Sequence, residues 1–156
     1  MQKVLFVCLG NICRSPAAEN LFNHLVAKEG LQQHLACDSA GTAGYHTGAP
    51  PDSRMRAAAA QRGLALVGAA RQLRREDLEE FDLILAMDKS NYRDILRLDP
   101  RGEFKDKVKM MCDFCTRHRE KEVPDPYYGG PEGFERVLDL LEDACQGLLQ
   151  FLKQSS

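Results

Sequence analysis

The first fifteen residues constrain this chain more than any other segment. Val4-Leu5-Phe6-Val7-Cys8 is an unbroken apolar run, the pattern of a strand buried on both faces rather than one alternating between core and water. The run breaks at Gly10-Asn11, residue types that tolerate left-handed backbone angles. Ser15-Pro16 then reads as an N-cap with proline at the first helical position. Ala18, Leu21, Phe22, Leu25 and Val26 recur at helical spacing until Gly30 stops them. Strand, tight loop and helix follow one another in under thirty residues.

The alternation continues. Residues 35–40 read as a second strand, and Pro50-Pro51-Asp52 opens a helix that carries Ala57 to Ala60 and stops at Gly63. Residues 81–87 form a third strand, followed by a helix over 89–98, and residues 108–114 a fourth strand. A last helix runs from 131 to 152, with Phe134, Val137, Leu138, Leu141, Cys145, Leu148 and Leu149 along one face. Strands alternating with helices predict an α/β fold, a parallel sheet covered on both sides through right-handed crossovers. With 156 residues the chain is one domain, 1–156, and a chain of that size buries about 68–70% of its unfolded surface. Neither disulfides nor metals are required to hold its core.

In open parallel sheets ligands bind at the carboxyl ends of the strands. Here those ends are Cys8 with the loop to Ser15, Ser39, Asp88, and the segment after strand four containing Pro124-Asp125-Pro126-Tyr127-Tyr128. The loop Cys8-Leu9-Gly10-Asn11-Ile12-Cys13-Arg14-Ser15 enters a helix N-terminus, where consecutive backbone N–H groups and the dipole favour an anion. Arg14 adds a planar, bidentate clamp suited to phosphate oxygens. The loop lacks the Gly-Lys-Ser/Thr of a nucleotide-binding loop. A thiol such as Cys8, set at a helix N-terminus beside an arginine, belongs to the reactive class. Ser15 can stabilise its thiolate, and a thiolate under a phosphate pocket is placed for in-line attack on phosphorus. Arg14 and the amides supply the compensating charge, so no metal or other cofactor is called for.

V-C-L-G-N-I-C-R-S-P near the N-terminus, D-S-A-G-T in the middle and D-P-Y-Y near the end closely resemble the low-molecular-weight protein tyrosine phosphatases, in order and over essentially the whole chain. The resemblance implies a single-domain, four-stranded parallel sheet with helices on both faces, flavodoxin-like and of the phosphotyrosine phosphatase I type. It implies Cys8 as nucleophile, Arg14 as transition-state clamp and Asp125 as the general acid that later activates water. Leu9, Gly10, Asn11, Ile12, Cys13 and Ser15 would line the phosphate site. Tyr127 and Tyr45 become walls for the aryl ring and Tyr128 a rim residue, since aromatics provide the flat apolar surface such a ring needs. Ser39 resembles the family residue that holds the strained asparagine, here Asn11. Asp88, with Asn91 three residues on, either joins that supporting network or caps the next helix. Gly68 stands two positions before Ala70-Arg71-Gln72, where many family members carry a histidine, so the network must be completed in another way.

Other features carry less. Cys13 is open to two readings, a reversible disulfide partner for Cys8 or a packed loop residue. Cys112-Asp113-Phe114-Cys115 has redox or zinc half-site spacing, but a strand would place the two thiols on opposite faces. Packing is then the expectation. Residues 117–122 read as a solvated charge run, and His24, His34, His46 and His118 show no metal spacing.

Net charge is −2, from 21 Lys and Arg against 23 Asp and Glu, which provides no footprint for nucleic-acid binding. No apolar stretch approaches the ~18 residues of a membrane span, and the opening run is too short for a signal peptide. A cytoplasmic protein with six reduced cysteines is expected. Its partners would be tyrosine-phosphorylated proteins, with phosphate or other oxyanions in the loop; whether the tyrosine-rich rim promotes weak homodimers stays open. Against the phosphatase stand an arsenate reductase on the same fold, which would pass electrons through further cysteines absent from Leu85-Ala86-Met87-Asp88, and a redox-sensing anion-binding domain. Phosphoarginine phosphatases of the family tend to carry Thr where this chain has Ile12, which favours tyrosine.

Overall fold

The computed structural model describes residues 1–155. Four strands, β1 (Gln2–Cys8), β2 (Leu35–Gly41), β3 (Leu83–Ala86) and β4 (Val108–Met110), make one parallel sheet in the order β2-β1-β3-β4. Among the described residues five α-helices accompany the sheet: α1 (Arg14–Lys28), α2 (Ser53–Ala60), α3 (Arg75–Glu80), α4 (Lys89–Arg97) and α5 (Pro131–Gln154).

The period-two geometry of a strand divides β1 between two cores. Val4, Phe6 and Cys8 point into one, packed with Phe22 and Val26 of α1, Met55 and Ala59 of α2 and Leu138, Leu141, Leu148 and Leu149 of α5. Phe6 and Phe22 meet edge to face, centroids 5.8 Å apart. Leu5 and Val7 point into the other core with Leu78 of α3, Phe81 just after that helix, and Ile95 of α4. All five of these β1 residues are buried, which is why the run is apolar at every position. The order places β1 beside both β2 and β3, so the chain leaves β1 toward one edge and returns to the other. That reversal is the crevice in which doubly wound sheets bind ligands, and Cys8 ends the strand that lines it.

Several boundaries differ from the sequence expectation. α1 begins at Arg14, with Cys13 as its N-cap and no side-chain cap, so Ser15 is a second-position helical residue. The left-handed turn at Asn11, φ 58°, brings the chain into the helix early and frees the Ser15 hydroxyl for Cys8. Pro16 then takes the third helical position, where its missing N–H has no intrahelical partner to lose. β3 is confined to Leu83–Ala86, and β4 ends at Met110 because its partner strand ends at the paired Ala86. The chain continues as a 3₁₀ turn, Met111–Phe114, whose Asp113 carboxylate accepts the Met110 N–H at 3.3 Å. The six-residue α3 has no counterpart in the sequence expectation; Asp77 accepts the Arg74 N–H at its start.

Candidate active site

The loop from Cys8 to Ser15 closes around the Cys8 sulfur. Asn11 N–H donates to Cys8 Sγ at 3.3 Å, and the Ser15 hydroxyl lies 3.0 Å from it. Cys8 is 2% exposed, at the floor of a cleft of about 70 Å³ lined by Leu9, Gly10, Ile12, Cys13, Arg14, Tyr45, His46, Asp125, Tyr127 and Tyr128. No side chain caps α1, so the first-turn N–H groups face the loop.

Asn11 braces the loop from beneath. Its Nδ2 donates to Ser15 Oγ at 2.8 Å and to Ser39 Oγ at 2.9 Å, while its Oδ1 accepts the Arg71 N–H at 2.9 Å. Ser39 in turn donates to Glu19 Oε1 at 2.6 Å. Burial pushes the Glu19 carboxyl above its usual range, against the Ser39 hydrogen bond. Arg71 reaches on to Asp38 and Asp77. These contacts hold the loop where Gly68 leaves space: its φ is +122°, an added Cβ would meet nothing within 4 Å, and a cavity of about 50 Å³ lies between it and Glu19. Gly41, at the end of β2, is a different case. A Cβ there would stand 2.8 Å from the Leu9 carbonyl oxygen and 3.1 Å from the Asn11 nitrogen, so only glycine lets β2 close against the loop.

Arg14 is buried, 2% exposed. Its Nη1 donates to Asp88 Oδ2 at 2.7 Å and to the Val123 carbonyl at 3.0 Å, and its Nη2 lies 3.6 Å from Asp125 Oδ2. Burial alone would lower the guanidinium, but the charges of Cys8, Asp88 and Asp125 and the Asp88 hydrogen bond more than offset it, raising Arg14 above its ordinary value. Asp88 caps α4, its Oδ1 accepting the Asn91 N–H at 2.8 Å, but makes no hydrogen bond to Asn11 or Ser39; its Oδ2 holds Arg14 instead, a contact the sequence reading did not include.

Asp125 sits across the cleft mouth, its Oδ1 accepting the Tyr127 N–H at 3.0 Å. Tyr127 and Tyr128 meet edge to face at 5.0 Å. Tyr128 is 94% exposed, at the rim, and Tyr45, 69% exposed, lines the upper part of the cleft wall. Arg54 fixes the Tyr127 wall from α2, donating to its carbonyl at 2.9 Å and stacking 5.1 Å from its ring. Cys13 lines the cleft as a free thiol pushed up to about 12 by burial first and then by the charges of Asp52, Cys8 and Asp125; at neutral pH it stays protonated.

Sequence reasoning missed His46, which lines the cleft between the Tyr45 and Tyr127 rings at 5.1 and 6.3 Å. It also missed Glu19, Arg71 and Gly41. The available signals were slight: His46 adjoins a predicted wall, Gly41 is the glycine of D-S-A-G-T, and Arg71 lies just beyond Gly68.

A family model described as low molecular weight phosphotyrosine protein phosphatase matches residues 3–156. A Synechocystis protein named as a putative low molecular weight protein-tyrosine-phosphatase is 58% identical over 150 residues, 96% of each chain. A crystal structure of a protein tyrosine phosphatase from Entamoeba histolytica, with Hepes in its active site, superposes with a TM-score of 0.96 at 47% identity over 99% of both chains. That of YfkJ from Bacillus subtilis gives 0.94 at 38% identity, over 100% of this chain and 97% of the other.

Proposed function

Because the chain belongs to the low molecular weight phosphotyrosine protein phosphatase family, we propose that it acts as one catalytic domain, 1–156, hydrolysing phosphotyrosine monoesters of proteins through a phosphocysteine on Cys8. The phosphate oxygens accept the loop N–H groups and the Arg14 guanidinium. The Cys8 thiolate attacks phosphorus in line with the ester oxygen; the P–S bond forms as the P–O bond breaks. Asp125 gives its proton to the departing tyrosine oxygen. The resulting carboxylate then takes a proton from water as that water attacks phosphorus, the P–S bond breaks, and thiolate and inorganic phosphate are restored.

One observation carries this reading: a nearly buried sulfur on the cleft floor, hydrogen-bonded by Asn11 N–H and beside the Ser15 hydroxyl, with Arg14 and Asp125 facing the same space. The guanidinium works by electrostatic stabilisation of charge on the transferring group. Tyr45, His46 and Tyr127 supply the walls against which an aryl ring stacks.

The test is turnover of small aryl phosphates. Cys8→Ser abolishes it. Asp125→Ala lowers it by roughly 10²–10⁴, the range for positioned general acids, and the loss is greater for phenyl phosphate than for p-nitrophenyl phosphate because the more basic leaving oxygen depends more on the proton. Unchanged turnover in Cys8→Ser rules out the phosphocysteine.

A further inference from the structure

The 3₁₀ turn after β4 sets Cys112 and Cys115 one turn apart, closed by the Cys115 N–H donating to the Cys112 carbonyl at 3.2 Å. We propose that these two residues form a redox-active dithiol, a modification site separate from the phosphate loop, which hydroperoxides close to an intramolecular disulfide. The inference does not depend on the phosphatase mechanism.

The geometry reverses the expectation for a strand. A 3₁₀ helix has three residues per turn and rises about 2.0 Å per residue, so positions i and i+3 stack about 6 Å apart along one side. That lies within the ~4.4–6.8 Å Cα separation that a disulfide spans. The turn is also held in place on both sides. A Cβ on Gly147 of α5 would collide with the Phe114 carbonyl, so helix and turn are in direct backbone contact. Just beyond Cys115, the backbone N–H groups of Thr116, Arg117 and His118 all donate to the Asp143 carboxylate of α5. The two cysteines are therefore held one turn apart on an ordered segment, with the Cys115 thiol donating to the Leu140 carbonyl of α5 at 3.8 Å, a contact it gives up to reach Cys112.

Their chemistry is asymmetric. The neighbouring Cys115 thiol holds Cys112 below its ordinary value, against burial, whereas Cys115 is raised, by Cys112 first and then by burial. Cys112 takes the attacking role and Cys115 the resolving one. Cys112 is buried, at 8% exposure, and is reached by a small oxidant from the side of the half-buried Cys115, while Cys145 of α5 is fully buried and raised by desolvation.

The step balances as two stages. Cys112 thiolate attacks the O–O bond of hydrogen peroxide, forming a sulfenic acid and releasing, after protonation, one water. The Cys115 sulfur then attacks the Cys112 sulfur; the S–S bond forms, the S–O bond breaks, and the hydroxide leaves with the Cys115 proton as a second water. The two thiols are oxidised and the peroxide is reduced.

The test uses the full chain, hydrogen peroxide, alkylation of remaining thiols and tryptic mapping. Peptide 110–117 contains both cysteines and no other, and peptide 4–14 contains Cys8 and Cys13. After oxidation, peptide 110–117 loses both alkylation sites and is lighter by two hydrogen atoms, and dithiothreitol restores both sites. In Cys115→Ser the closure is lost and dimedone traps Cys112 as its sulfenic acid. If peptide 110–117 stays doubly alkylated at doses that oxidise peptide 4–14, or if Cys112 is recovered joined to another cysteine, the proposal is overturned.

Discussion

Asp88 performs two tasks with its two oxygens, and chemistry can separate them. Asparagine caps a helix about as well as aspartate, whereas alanine costs about 1 kcal/mol at that position. Asp88→Asn therefore keeps the α4 cap but removes the charge that aims Arg14 at the cleft. A charge-assisted hydrogen bond contributes about 1.5–3 kcal/mol; turnover and affinity for inorganic phosphate should each fall by roughly tenfold or more. Asp88→Ala should show the same kinetic loss together with about 1 kcal/mol of lost unfolding free energy. Identical stability in the two variants would remove the cap from this account. Of these two tasks the sequence offered only the cap, because Asp-x-x-Asn spacing shows a cap but not that the second oxygen meets the buried Arg14 rather than the network around Asn11.

At the scale of elements, the most legible part was β1, its loop and α1, where an apolar run and a Gly-Asn break act within a few residues. Less legible were elements whose limits are set by distant partners. β4 stops where β3 runs out, and nothing in Val108-Lys109-Met110-Met111 announces that. The same holds for the loop's support: Glu19 and Arg71 reach Asn11 or Ser39 only through the tertiary fold. The charge run at 117–122 looked like free solvated chain, yet its first residues are fastened to α5. Asp143, 0% exposed, accepts from Thr116 N–H and hydroxyl through Oδ1 and from the Arg117 and His118 N–H groups through Oδ2. Burial alone would raise its carboxyl; these hydrogen bonds, with the His118 ring, hold it well below the carboxylate range. Above the unfolded value of about 3.9 this clamp contributes in full. As pH falls below it, the unfolded chain takes up a proton that the native Asp143 refuses, so stability declines toward acid. Asp143→Asn should cost about 2–4 kcal/mol at pH 7 through unsatisfied buried groups, and urea unfolding from pH 5 to 3 should show a flatter acid slope. An unchanged slope would mean that the clamp plays no part.

For the whole molecule, the strand order converges residues from four distant segments on the β1 end: Cys8 and Arg14, Ser39, Asp88, and Asp125. A ligand bound there touches much of the fold and should report on its global stability. Inorganic phosphate at a hundred times its Kd stabilises by about 2.7 kcal/mol, which for a chain of this size raises Tm by about 5–10 °C. Cys8→Ser should retain much of that shift because the amides and Arg14 do the binding; Arg14→Ala should lose most of it. A shift that survives in Arg14→Ala would place the anion elsewhere.

The order of those segments along the chain has its own consequence. Synthesis delivers the N-terminal part first, so the attacking sulfur leaves the ribosome long before the proposed proton donor at Asp125. The segment leading to that loop is fastened to α5 only once Asp143 has emerged to grip residues 116–118. A nascent chain stopped before Asp125 would thus carry the proposed nucleophile without its proposed acid, and the hydrolysis proposed above would have to wait for the segment after β4.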